Sequence, residues 1–279
     1  MVTRLPEPNI DEVVYLDSVV EERQSGKNAS FFARIRNEWK ARASHYRQNL
    51  GNPELITPWT AVAPRRDTFN NLYSSPADNS TQGGVIATLR ARTLQLCPSC
   101  GEDGTPNTLD HYLPKDRYPE FSILPQNLLP MCDACQASKG TKTVDAANRR
   151  LFIHAYYDTF VDQQIVLLTI DAPYNAPASI TLEPATTLNA ADADLVRRHL
   201  SELEIINRYH RFFRSEYLHL LRIVNILRRT EQDVEQNLHN FRALERLRSV
   251  NGWRHIFYSG VLANPDLFAY LSQEQLPEV

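Results

Sequence analysis

Two matched Cys-x-x-Cys pairs, Cys97/Cys100 and Cys132/Cys135, constrain this chain more than any other feature. Each spacing lets two thiolates reach one ion from a tight turn. Two such knuckles complete a tetrahedral sulfur shell, which suits zinc. Pro98 and Gly101 shape the first turn. These four cysteines are all that the 279 residues hold, so no odd thiol is left over; free thiols or disulfides are the alternative. A closed four-cysteine site keeps no open coordination position. Zinc here is therefore a staple, and any chemistry must lie between the knuckles.

Between them, Thr108-Leu109-Asp110-His111-Tyr112 reads as a short strand ending in an acid–base pair. Asn127-Leu128-Leu129-Pro130-Met131 reads as a second strand running into the second knuckle, and Ala134–Lys139 opens a helix. Strand, loop, strand and helix, with Asp-His on the first strand and Asn before the second, resembles the HNH nuclease family and its ββα-metal fold. The runs His111-Tyr112-Leu113-Pro114-Lys115, Tyr118-Pro119-Glu120-Phe121 and Asn127-Leu128-Leu129-Pro130 extend the likeness. So do Phe152–Asp158 and the closing Trp253, Phe257, Leu262 and Asn264. These resemble stand-alone bacterial HNH proteins of anti-phage systems, the Septu nuclease subunit among them.

The resemblance implies a role for each matched position. His111 matches the general base that takes a proton from the attacking water, a task suited to an imidazole. Asp110 matches the ligand of a catalytic Mg2+ or Mn2+ ion. Asn127 matches the asparagine that ties the loop and keeps the histidine strand in register. The last motif position, usually Asn or His, is Gln136 here, whose amide oxygen sits one methylene further out. Lys115, Lys139 and Lys142 are candidates to hold phosphates. In the Septu group the nuclease works beside an ATPase, which fits a chain with no glycine-rich phosphate loop of its own.

Before the knuckles, charge changes sign. Residues 1–22 hold Glu7, Asp11, Glu12, Asp17, Glu21 and Glu22 against Arg4, read as a solvated start or a contact for a basic partner. From Arg23 to Arg66, nine basic residues face only Glu38 and Glu54. Phe32, Ile35, Trp39, Ala43, Tyr46 and Leu50 step along one helix face, ended by Gly51-Asn52-Pro53. Arg34, Arg36 and Lys40 on this helix are candidate nucleic-acid contacts, or simply a soluble face. The net charge of −3 leaves room for a local basic surface but not for a wholly basic coat.

After the knuckles, Thr143–Phe160 reads as helical, with His154 on its stripe as a core or helix-end histidine. Gln164–Ile170 and Ser179–Leu182 read as a strand pair. Residues 193–229 read as one helix with a seam through Val196, His199, Leu203, Ile206, His210, Phe213, Tyr217, Leu220, Val224 and Leu227. Such a helix would reach on the order of 50 Å. Its stripe must meet the N-terminal helix, a second copy of the chain or another protein, and part of it is expected to form an oligomer or partner interface centred on Phe213, Tyr217 and Leu220. Thr230 with Asp233 is placed to cap a further helix.

The expected fold is α+β and mostly α. A helical basic region (1–84) precedes a zinc-stapled ββα-metal module (85–160), followed by a hairpin and long-helix region (161–279). The opening residues carry no apolar run and the longest aliphatic stretch is Ile165–Leu168, so neither a signal peptide nor a membrane span is expected. Thiolate ligands fit the reducing cytoplasm. The expected function is metal-dependent endonuclease cleavage of nucleic acid, DNA first, in anti-phage defence. The alternative is a catalytically weakened, zinc-stapled binding subunit that acts only within a complex.

Overall fold

The computed structural model describes residues 1–176 and 179–277. The chain forms two compact units, one from Leu5–Leu94 with Thr105–Asp158, the other from Met1–Arg4, Gln95–Gly104 and the residues from Thr159 onward. The three consecutive segments expected from composition are thus regrouped. The N-terminal region folds with the central strands as one body.

In that first unit, α1 (Glu12–Glu21), α2 (Ala29–Gln48), α3 (Arg66–Ser74) and α4 (Thr81–Arg90) precede β1 (Thr108–His111), β2 (Leu128–Met131) and α5 (Asp133–Lys139). The carboxylate of Asp11 caps α1, accepting from the backbone amides of Val13 and Val14 at 3.0 and 2.9 Å. The apolar stripe of α2 is buried as its spacing predicts, from Phe32 through Tyr46. Leu50 falls beyond the helix and is exposed. Phe31, Phe32, Trp39 and Phe69 form an aromatic cluster with ring centroids 5.2–6.0 Å apart.

The acidic start is not a free arm. Asp17 takes Arg36 at 2.7 Å and Lys40 at 2.8 Å, and Glu21 takes Arg36 at 2.8 Å. Glu7 and Glu12 each take Arg47 at 3.1 Å. The positive run on α2 is therefore largely answered inside the unit. Arg36 and Lys40, candidates for nucleic-acid contact or for a soluble face, fasten α1 to α2. Arg34 stays exposed, its guanidinium 5.9 Å from the centroid of the Phe31 ring.

No helix forms over residues 143–158. Asp145 turns the chain instead, its carboxylate accepting from the amides of Ala147 and Arg149 at 2.9 Å each. Asn148 there adopts a left-handed φ of 59°, a conformation asparagine tolerates better than most residues. This local turn chemistry overrides the three- and four-residue apolar spacing.

The second unit holds the antiparallel pair β3 (Val166–Ile170) and β4 (Ile180–Pro184). The helices α6 (Ala190–Glu202), α7 (Ile205–Arg229), α8 (Val234–Arg248), α9 (Trp253–Leu262) and α10 (Pro265–Gln273) come after them. Strand burial alternates, with Val166, Leu168, Ile170, Ile180 and Leu182 inward. Gly260 lets α9 lie against β3: a Cβ there would stand 2.8 Å from Leu168 Cβ and its carbonyl oxygen. Asp233 alone caps α8, accepting from Gln236 N at 2.9 Å, while Thr230, expected to share the cap, ends α7 instead.

The long seam breaks. Leu203 and Glu204 end α6, and Glu204 has φ 52°. The break shifts the phase of α7, so Ile205 and Tyr209 are buried while the expected Ile206 and His210 are only half-buried. The proposed interface centre is core: Phe213, Tyr217 and Leu220 are 3%, 2% and 0% exposed. Phe213 meets Phe257 with centroids 5.8 Å apart, and Tyr217 donates to Tyr174 O at 2.6 Å. Among the described residues no helix is long and apolar enough to cross a membrane.

Candidate functional site

The strand pair runs Thr108↔Met131, Leu109↔Pro130, Asp110↔Leu129 and His111↔Leu128. Tyr112 N donates to Asn127 O at 2.8 Å, which sets the alternation of bonded and non-bonded pairs. Leu109↔Pro130 is then a non-bonded pair, so the N–H that proline lacks is not missed. The outward carbonyls of the non-bonded positions find side chains instead. Leu109 O accepts from the Tyr73 hydroxyl at 2.7 Å, Leu128 O from the Tyr156 hydroxyl at 2.8 Å, and His111 O from Lys139 Nζ at 2.7 Å.

The connection between the strands is fastened by the N-terminal helices. Tyr15 of α1 donates to Ile123 O at 2.9 Å, and Trp39 of α2 donates to Glu120 O at 2.7 Å. Ser122 donates its hydroxyl to Phe69 O of α3 at 3.0 Å. Ser122 O in turn lies 2.8 Å from His111 Nε2. A carbonyl only accepts, so Nε2 carries the proton and Nδ1 keeps the lone pair. Nδ1 has no hydrogen-bond partner among the described residues. Burial pushes the imidazole down to about 3, with the bond to Ser122 opposing and Lys115, Lys139 and Arg90 adding to the fall. The ring is neutral near pH 7, and Tyr73 packs edge-on against it with centroids 4.5 Å apart.

Asn127 is used on both sides of its amide. Oδ1 accepts from Leu113 N at 2.7 Å and Nδ2 donates to Leu113 O and Phe121 O at 3.0 and 3.1 Å. This ties the loop to the end of β1. Behind it stands a relay that spacing does not reveal. Tyr156 N donates to His154 Nδ1 at 3.3 Å, so His154 Nε2 carries the hydrogen and donates to the Tyr46 hydroxyl at 3.2 Å. That hydroxyl donates to Asn127 Oδ1 at 3.1 Å. His154 is a core histidine, as expected, but in a turn rather than on a helix.

Asp110 does not meet the expectation of an open metal ligand. Its Oδ2 lies 2.9 Å from Lys139 Nζ, and both groups are buried. The contact is an ion pair without a well-angled hydrogen bond, since Oδ2 otherwise lacks a partner. Lys139 is accordingly not a surface lysine waiting for a phosphate. Gln136 lies on α5, half-buried, its side-chain amide without a partner among the described residues. One carboxylate already neutralised by an ammonium, with one neutral amide, does not fit a site for Mg2+ or Mn2+. Lys115 is half-buried with Nζ 5.1 Å from the Tyr73 centroid, and Lys142 is exposed.

The four cysteines do fit a metal. Their sulfurs all lie within 4.8 Å of one another and none is in a disulfide. A zinc bonded to each at about 2.3 Å sets the sulfurs roughly 3.8 Å apart. Around the first knuckle, Trp253 Nε1 donates to Cys100 O at 2.6 Å and His199 Nε2 to Ser99 O at 2.7 Å. Gly101 has φ 72°, and a Cβ there would run into the backbone of Met1 and Asn251. Arg208 places Nη1 3.7 Å from Cys100 Sγ and pairs with Glu102. Its charge offsets that of a tetrathiolate centre.

Over 117 residues the chain is 31% identical to Protein ea31 of Escherichia phage lambda. That stretch covers 41% of this chain and 40% of the phage protein. No family model matches the sequence. No solved structure matches it either.

Proposed function

We propose that the chain is a nuclease of the ββα type that hydrolyses phosphodiester bonds, in DNA first, with His111 as general base. The observation that carries this reading is the fixed tautomer of His111. Ser122 O holds the Nε2 proton, so Nδ1 is the basic nitrogen. Asn127 and the Tyr46–His154 relay keep the end of β1 in place, and Lys115 and Lys142 are the lysines proposed to meet phosphate. The zinc centre is structural. The resemblance to HNH proteins of anti-phage systems suggests invading nucleic acid as the substrate and an ATPase as a partner.

A second reading, a nucleic-acid or partner-binding subunit with weakened catalysis, is favoured by the Asp110–Lys139 pair and by Gln136 at the last motif position. Incubation of the purified, zinc-loaded chain with supercoiled plasmid and with single-stranded RNA separates the two. Nicked or linear plasmid, or shortened RNA, supports the nuclease. Binding with both substrates left intact, with and without Mg2+ or Mn2+, supports the second reading.

A further inference from the structure

We propose that the Lys139 ammonium is the resident cation of the Asp110 carboxylate and keeps divalent ions out of it. The inference takes residues 108–139 as the phosphodiesterase site proposed above, but it is a statement about binding and is tested as one.

Lys139 is the last residue of α5 and is 1% exposed. Its Nζ lies 2.9 Å from Asp110 Oδ2 and 2.7 Å from His111 O, and 5.8 Å from the centroid of the Phe152 ring. The ammonium thus has a carboxylate, a carbonyl and an aromatic face around it. The His111 carbonyl belongs to a non-bonded strand pair, so β2 offers it nothing. Lys139 is what satisfies it.

A divalent ion would have to undo all of this. Mg2+ needs about six oxygens in near-octahedral array and gives up its water reluctantly. Asp110 supplies a carboxylate that already has a positive charge in contact, and two cations do not share that oxygen in a buried setting. To make room, Lys139 would leave its packed position, orphan His111 O and carry its charge elsewhere. The ion would gain one carboxylate and the amide of Gln136 in return. The positive charge beside His111 is therefore built into the chain.

The probe is Mn2+, read by its electron paramagnetic resonance signal, on the full zinc-loaded chain. Mn2+ prefers oxygen and leaves a tetrathiolate zinc in place. Wild type is expected to show no Asp110-dependent Mn2+ binding up to millimolar ion. Lys139→Met keeps the packed stem and removes the charge; it should bind Mn2+ about tenfold or more tightly than wild type, and the Asp110→Asn/Lys139→Met double variant should lose that gain. Wild type binding Mn2+ as well as Lys139→Met, with the binding lost in Asp110→Asn, overturns the proposal. So does a folded, zinc-loaded Lys139→Met that binds none.

If Lys139→Met fails to fold, the wild type decides. Acetylation by acetic anhydride, mapped by mass spectrometry, should spare Lys139 with or without millimolar Mn2+. A rise at Lys139 when Mn2+ is added means the ion displaces the lysine, and the proposal falls. Cleavage is read in none of these arms. An inactive chain would sink the nuclease proposal and leave this one to stand or fall on manganese.

Discussion

Around Asn127, burial and hydrogen bonding act together on the same small set of side chains. His154 is fully buried and its imidazole is pushed down to about 3 by that burial, with Arg150 adding to the fall. It stays neutral, which lets Nδ1 accept from Tyr156 N while Nε2 donates to Tyr46. In the unfolded chain the same ring titrates near 6.5. The unfolded state therefore binds the extra proton between pH 6.5 and 3, so this contribution to stability is complete above about pH 7 and lost as pH falls through that window. At pH 5 the loss is about 2 kcal/mol for such a histidine. Thermal unfolding of wild type and His154→Gln at pH 7 and pH 5 checks it. The variant is expected to lose less on acidification; equal losses contradict the buried, neutral histidine. The placement of Asp110 and His111 on β1 and of Asn127 just before β2 was legible in the sequence because one short motif holds them. Tyr46, His154 and Lys139 were not, because each reaches its partner across a loop or from a distant helix, and no spacing encodes such a contact.

The elements of the site arise from local patterns, and the elements that went astray did so where a turn or a break overrode a pattern. Apolar periodicity located α2, and alternation located β3 and β4. It failed over residues 143–158, where Asp145 and Asn148 make a turn, and at Glu204, whose left-handed φ splits one long helix into α6 and α7. The apolar stripe of α7 was real, but its partners are α9 and the Tyr174 backbone within the same unit. Leu220 is wholly buried there. Leu220→Ala should cost about 2–5 kcal/mol through lost burial and the cavity left behind. Sedimentation should be the same as wild type. A shift in oligomeric state with unchanged stability would restore the interface reading of this helix.

At the scale of the whole molecule, the four-cysteine cluster, which could hold a metal ion, and the charge pattern do different work. The net charge of −3 conceals a basic α2 whose side chains mostly answer the acidic segment before it. The sequence displayed both charge runs, but not that they meet, because pairing between helices is a property of packing. The gathering of the four cysteines was legible, since residue type and spacing are local. Metal analysis of the chain purified without added zinc should find about one zinc per chain. Cys132→Ser should lower both the zinc content and the melting temperature; a variant that keeps both contradicts the metal centre. The central claim rests on His111, which is no zinc ligand. The most direct measurement is the plasmid cleavage rate of His111→Ala against wild type, at equal zinc content and melting temperature. Loss of the general base is expected to slow cleavage by ~10²–10⁴, and cleavage by His111→Ala at the wild-type rate would contradict it.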